Sequence, residues 1–241
     1  MFQFDLHSSN TAHCLGSPKL NQWTTENTSM KDFTQTTARQ ALELSEFRDW
    51  KPDFDVKHLN RPRLRPAKLD GNGRFGAVLL LLCNDSGSTK IVLTKRAEHL
   101  SHHAGQISLP GGRLEPGETA EQAALRETEE EVGVAAGDIQ ILGQLNQVYI
   151  PPSDFTVSPL VGWIEGLPNF QAAPAEVDEI VVVSLTQLLD PATLSSGTIE
   201  VDGRRLDVPF YKVNEHRVWG ATAIILREFL LRTSVVLGIN K

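Results

Sequence analysis

Between Gly111 and Val134 the chain reads Gly-Gly-Arg-Leu-Glu-Pro-Gly-Glu-Thr-Ala-Glu-Gln-Ala-Ala-Leu-Arg-Glu-Thr-Glu-Glu-Glu-Val-Gly-Val. Glu127, Glu129, Glu130 and Glu131 crowd behind Arg126 and a glycine-rich stretch. At roughly 100° per residue, Glu127 and Glu131 stack on one helix face with Glu130 beside them. Ala120 and Ala123 share that side, and their small side chains are expected to leave room for a ligand. Like charges four residues apart cost about 0.2–0.5 kcal/mol, and acidic residues at a helix C-terminus oppose the macrodipole. A divalent cation removes both penalties, and carboxylate oxygens suit hard ions such as Mg²⁺ or Mn²⁺, which also bind phosphates. The glutamates therefore read as a metal cradle, with Arg126 spaced to hold Glu130.

The helix that must carry this cradle is marked at both ends. Thr119 is the expected N-cap, Gln122 completes a capping box, and Gly133 suits the stop position. Ala124, Leu125, Thr128 and Val132 form its expected core stripe. Gly111, Gly112 and Gly117, with Pro110 and Pro116, are expected to exclude regular structure ahead of the helix and to bring backbone close to a ligand.

Around it, residues 75–82 and 91–95 read as strands joined by the turn-forming run 84–88. Residues 139–147, 157–163, 180–184 and 205–213 read as further strands. Residues 185–190 follow the strand at 180–184, and residues 221–232 read as a closing amphipathic helix. Upstream, residues 30–50 can form a helix with Phe33, Ala38, Ala41, Leu42 and Leu44 as an imperfect stripe. Residues 1–30 lack a period and read as a loosely attached arm, and Arg61-Pro-Arg-Leu-Arg-Pro66 as an extended connector. The pattern predicts an α/β domain over residues 73–241, preceded by an N-terminal extension over 1–72.

Composition narrows the partners. The 241 residues carry a formal net charge of −7, which argues against nucleic-acid binding through a basic surface. It leaves small anionic substrates open, because a metal ion can join an acidic site to a phosphate. Two cysteines, Cys14 and Cys83, without metal-ligand spacing fit a reducing, cytoplasmic setting. The apolar run from Ala77 to Cys83 is too short to cross a bilayer, and the first residues lack a signal-peptide pattern.

At this point the sequence resembles the Nudix hydrolases, whose box reads G-x₅-E-x₇-R-E-U-x-E-E-x-G-U, with U a bulky aliphatic residue. Gly112, Glu118, Arg126, Glu127, Glu130, Glu131, Gly133 and Val134 match, and Thr128 departs at the first U. The resemblance implies an α/β/α sandwich with a mixed β-sheet and hydrolysis of a nucleoside diphosphate linked to another moiety. It implies that Glu127, Glu130 and Glu131 hold Mg²⁺ or Mn²⁺, with a backbone carbonyl near Gly111 as a further ligand and Glu118 in support. It also points to a downstream glutamate, Glu176 or Glu179, as base or extra ligand. Regulators built on this scaffold usually lose a box carboxylate, and this chain keeps them all.

The stretch upstream is similar to members that cleave coenzyme A, whose pattern is L-L-T-x-R-(S/A)-x₃-R-x₃-G-x₃-F-P-G-G. Leu93, Thr94, Arg96, Ala97, Gly105, Pro110, Gly111 and Gly112 fit it, with Val92 and Leu109 as apolar replacements. Arg96, Gly105, Gly111 and Gly112 are the implied substrate-binding positions, for Arg96 with a structural salt bridge as the alternative. Ser101 stands where the pattern has arginine and cannot pair with a phosphate in the same way. The implied substrate is coenzyme A or an acyl derivative, with a homodimer compatible. ADP-ribose, a dinucleotide or a modified nucleotide is the alternative, followed by a nucleotide-sensing module without turnover. His99, His102 and His103 read as surface histidines, and Trp163 and Trp219 as core.

Overall fold

The architecture follows from how apolar residues alternate along the central strands. A computed structural model describes residues 33–52, 74–101, 103–150, 153–201 and 203–239. The expected arm over 1–30 and the Arg61–Pro66 connector lie outside the described residues. Strand β1 (Arg74–Asp85) is buried on both faces, with Leu79 through Cys83 all at 0% exposure. Side chains alternate across a strand. Leu79, Leu81 and Cys83 therefore pack with α2 (Ala120–Val132) through Ala123, Ala124 and Val132. Leu80 and Leu82 pack on the other side with Ile224, Ile225 and Phe229 of α4 (Gly220–Val236). This is the expected α/β/α sandwich.

The remaining strands of the main sheet are β2 (Ser88–Arg96), β3 (Ile107–Ser108), β4 (Gly111–Arg113), β5 (Gln140–Gln144), β6 (Val148–Ile150), β7 (Phe155–Glu165) and β8 (Val177–Ser184). The sheet is mixed: β1 runs parallel to β7, and the other recorded pairs are antiparallel. β1 and β2 pair only near their hairpin, from Leu82↔Ile91 to Asp85↔Ser88, and then part. The chain from Ile107 to Arg113 fills the fork, β3 against β2 and β4 against β1. Here the sequence expectation is corrected. Gly111 and Gly112 do not exclude regular structure; they form β4. A Cβ at Gly111 would lie 2.3 Å from the Ala77 carbonyl oxygen, and Gly111 has φ +148°, so only glycine allows this approach.

Two other expectations change. The strand expected over 139–147 stops at Gln144 as β5, and a separate short strand, β6, starts at Val148, because the Leu145 N–H donates to Pro159 O (2.9 Å) and Asn146 turns to Glu228. A strand not expected, β9 (Leu194–Val201), joins β10 (Arg204–Val213) and β11 (His216–Val218) in a second sheet. Its Ser-Ser-Gly-Thr centre carries little β propensity, and pairing with β10 supplies what propensity does not.

The upstream helix is present as α1 (Gln35–Glu43), capped by Thr34 and followed by a 3₁₀ turn (Ser45–Phe47). Phe33, Ala38, Ala41 and Phe47 are buried, and α1 packs on α4 and β5. Residues 33–50 thus belong to the same packed body as the main sheet. A short helix, α3 (Leu185–Leu189), follows β8. Among the described residues no helix is long and apolar enough to cross a membrane.

Candidate active site

Helix α2 starts and stops where the sequence places it. Thr119 accepts from Gln122 N–H (3.2 Å), the Gln122 side chain accepts from Thr119 N–H (2.9 Å), and Gly133 ends the helix with φ +73°. Its glutamates do four different things. Glu131 is buried at 6% exposure and accepts from Gly111 N–H (3.2 Å). Glu127 is half-sheltered beneath β4. Glu130 is exposed. Glu129 accepts from Ala136 N–H (3.2 Å) and so caps the turn after the helix.

Arg126 ties this set together. Its Nε and Nη2 donate to Glu118 (2.9 and 3.1 Å), its Nη1 to Glu127 Oε1 (3.0 Å) and Glu130 Oε2 (3.1 Å), and its Nη2 to Arg113 O (3.2 Å). The pairing with Glu130 read from spacing is present, but the bidentate partner is Glu118. These bonds hold the Glu118 carboxyl below the ordinary carboxylate range, with a further bond from Glu115 N–H (2.9 Å). The expected room beside Ala120 and Ala123 is not there. Ala123 is fully buried against β1, and Ala120 packs on the same cluster.

Space at the site comes from glycine instead. A Cβ on Gly112 would sit 2.3 Å from Glu127 Oε1, so the missing side chain is where the carboxylate rests. This gives a test that separates fold from site. Gly112 is not in the left-handed region, and the clashing atom is the movable end of a side chain. Gly112→Ala is therefore expected to keep its melting temperature within a few degrees, while turnover falls about 100-fold as Glu127 is displaced. Calorimetry and a rate assay on the same preparation check it.

Arg96, Glu176 and Glu179 differ in how they bear on these carboxylates. Burial pushes Glu131 up to about 8, with the Glu127 and Glu176 carboxylates adding to the rise, and Gly111 N–H and Arg96 opposing it. Burial likewise raises Glu127, against the pull of Arg126, and Glu176 again adds to the rise. Glu176 thus acts on both carboxylates and Arg96 on Glu131. Glu179 does not: its Oε2 meets His216 Nε2 at 3.2 Å, toward the second sheet. Glu176 lies in the turn just before β8, whereas Glu179 lies in the strand opposite Lys95, across a bulge in the pairing with β2, so the two carboxylates are held in different settings. Gly105 closes a turn, its N–H donating to Arg96 O (2.9 Å).

The raised Glu131 has a consequence for stability. Its folded-state value of about 8 stands above the ordinary 4.5, so the folded state holds an extra proton between the two. In metal-free protein this group's contribution is full below about 4.5 and is lost as pH rises through about 8, on the order of a few kcal/mol. Mg²⁺ should offset the loss, and Glu131→Gln should flatten the dependence. Denaturant titrations from pH 5 to 9 measure it, and an unchanged slope in Glu131→Gln would overturn it.

The helix, its capped ends, the arginine-linked carboxylates and the glycine strand beneath them occur within a segment, residues 73–201, matched by a family model for the NUDIX domain. The chain belongs to the Nudix family. It is 35% identical over 170 residues to Nudix hydrolase 3 of Caenorhabditis elegans, covering 64% of this chain and 71% of that one. It is 34% identical over 172 residues to the Nudix hydrolase NudL of Photorhabdus laumondii, covering 70% and 90%. The MutT/nudix family protein of Enterococcus faecalis aligns over 83% of this chain and 73% of its own, at 18% identity and TM-score 0.43. That likeness is too coarse to bear on chemistry. As a Nudix hydrolase the chain cleaves diphosphate bonds.

Nudix hydrolases generally use divalent ions such as Mg²⁺ or Mn²⁺, and the residues here fit one. The donors are all oxygens, and Glu127 and Glu131 are raised by burial and by neighbouring carboxylates, a state that a cation relieves. Among the described residues no three His, Cys, Asp or Glu side chains form a ready-made cage. Arg126 restrains Glu127 and Glu130 meanwhile.

Proposed function

We propose that this Nudix hydrolase splits the diphosphate of coenzyme A or its acyl derivatives, in the presence of Mg²⁺ or Mn²⁺. The products are 3′,5′-ADP and 4′-phosphopantetheine or its acylated form. One observation carries the reading. The stretch from Val92 to Gly112, which fits the coenzyme A pattern, folds so that Gly111 N–H donates to Glu131 (3.2 Å), while Arg96 is held by backbone bonds with Gly105 and Gln106 on the way to it. The pattern and the carboxylates thus meet at one place.

Glu127, Glu130 and Glu131 would hold the cation, with the Gly111 backbone adjoining and Glu118 supporting through Arg126. A bound divalent ion neutralises diphosphate oxygens and lowers the pKa of a water. Glu176 is the carboxylate we assign to accept the proton as water attacks phosphorus and the bridging P–O bond breaks, because its charge reaches both Glu127 and Glu131 whereas Glu179 meets His216. Arg96 would neutralise charge on the diphosphate. On the sequence grounds above, the setting is a reducing, cytoplasmic one.

Ser101 favours the second reading, ADP-ribose or a dinucleotide. Purified protein with coenzyme A, ADP-ribose and NADH, in Mg²⁺ and in Mn²⁺, tests both by product chromatography. Coenzyme A is expected to be cleaved fastest, with release of 3′,5′-ADP. Faster cleavage of either other compound transfers the assignment to the second reading, and turnover of none of the three refutes both.

A further inference from the structure

The turn after Arg96 contains a residue held against its steric preference. His103 has φ +59°, a left-handed conformation that few residues with a Cβ adopt, and backbone outliers of this kind gather at functional positions. Three bonds fix the turn. Gly105 N–H donates to Arg96 O (2.9 Å), Arg96 N–H to Gln106 O (2.9 Å), and Gln106 N–H to His103 O (3.1 Å). Where Gly105 lacks a Cβ, the Glu98 carboxylate fills the space. Glu98 is held by Lys95 Nζ (2.9 Å), and its own N–H donates to Asp178 Oδ2 (2.9 Å).

On this fixed turn the imidazole is itself oriented. His103 Nδ1 lies 3.0 Å from Gln106 Oε1, so Nδ1–H is the donor and Nε2 points away from that bond. The side chain is exposed. Among the described residues no carboxylate pairs with it, since Glu98 and Asp178 are engaged as above. The imidazole thus presents one nitrogen to solvent, beside Gly105 and Gln106, whose backbones are bonded to that of Arg96.

We propose that His103 contacts an additional phosphate monoester of the substrate, supplying the anion contact that Ser101 cannot. The ligand class is a nucleoside diphosphate ester bearing a ribose phosphate. The protonated imidazole donates from Nε2 to a phosphate oxygen while Nδ1–H stays with Gln106. The inference rests on the coenzyme A reading and deepens it.

Coenzyme A and its 3′-dephospho analogue differ in that one group. His103→Asn and His103→Gly both accept a left-handed backbone, and both withdraw the imidazole. In each, the ratio of kcat/KM for coenzyme A over the dephospho analogue is expected to fall about tenfold, carried by KM, as loss of one exposed charge-assisted bond predicts. Gln106→Leu should lower the same ratio by less. An unchanged ratio in an active enzyme overturns the proposal and leaves the coenzyme A reading intact. If wild-type protein cleaves neither compound, that reading fails first. Calorimetry with 3′,5′-ADP and 5′-AMP then judges His103 alone: weaker binding of 3′,5′-ADP only supports it, and equal affinities in both proteins refute it.

Discussion

Glu127→Gln is expected to fold like the parent and to lose about three orders of magnitude or more in kcat/KM. Glutamine keeps the shape of the side chain and one carbonyl oxygen, so Arg126 Nη1 retains an acceptor where it now meets Glu127 Oε1 at 3.0 Å. The bonds from Arg126 to Glu118, Glu130 and Arg113 O do not depend on the replaced group. What goes is a negative charge at a place where burial already disfavours it. Removing an unfavourably buried charge should leave stability equal or slightly higher, the usual sign when a strained functional group is neutralised. The variant therefore separates chemistry from folding: melting temperature level or up, turnover nearly gone. Activity within tenfold of the parent at saturating Mg²⁺ would remove Glu127 from the metal-binding set.

The largest stability effect is expected far from the carboxylates, at Arg232→Met. Arg232 and Glu228 are 4% and 1% exposed on successive turns of α4, with Nη2 to Oε1 at 2.8 Å and Nε to Oε1 at 2.9 Å. Arg232 Nη1 also donates to Ala41 O, Leu42 O and Leu44 O, and its Nη2 to Phe47 O. The guanidinium lies 4.8 Å from the Phe47 ring centre. One side chain thus satisfies the end of α1 and the 3₁₀ turn, carbonyls that a helix of this length cannot satisfy itself. Methionine fills similar volume but leaves the Glu228 charge buried with Asn146 as its one remaining partner among the described residues. Breaking a buried pair from one side costs about 3–5 kcal/mol, and the loss of several charge-assisted bonds places this variant at the upper end. Urea titration should show it. Arg232→Met with Glu228→Leu should recover part of the loss, since replacing both members removes the stranded charge. A loss below 1 kcal/mol in the single variant would show that residues 33–50 are not anchored through this arginine.

Some of this molecule is legible residue by residue. The capping box of Thr119 and Gln122, the stop at Gly133 and the i, i+4 link from Arg126 to Glu130 are local, because a helix makes its own contacts at fixed spacing. The same holds for β1 and β2, where an apolar run, a turn signal and a second apolar run lie adjacent in the chain. The box spacing carried the family, and the intact carboxylates carried hydrolysis.

What the chain could not reveal is set by partners distant in sequence. Whether Gly111 and Gly112 form loop or strand depends on the fork between β1 and β2, whose far edges pair with β7 and β8, elements distant in the chain. Whether Glu176 or Glu179 comes near the carboxylates depends on where the turn ends and β8 begins, and pairing with β2 fixes that. The elevated Glu131 is likewise tertiary. A solvated glutamate and a buried one are the same letter, and only the packing of α2 beneath β4 withdraws this one from water. Helix spacing thus determined which side chains share a face, while long-range sheet pairing decided which of those faces became a site.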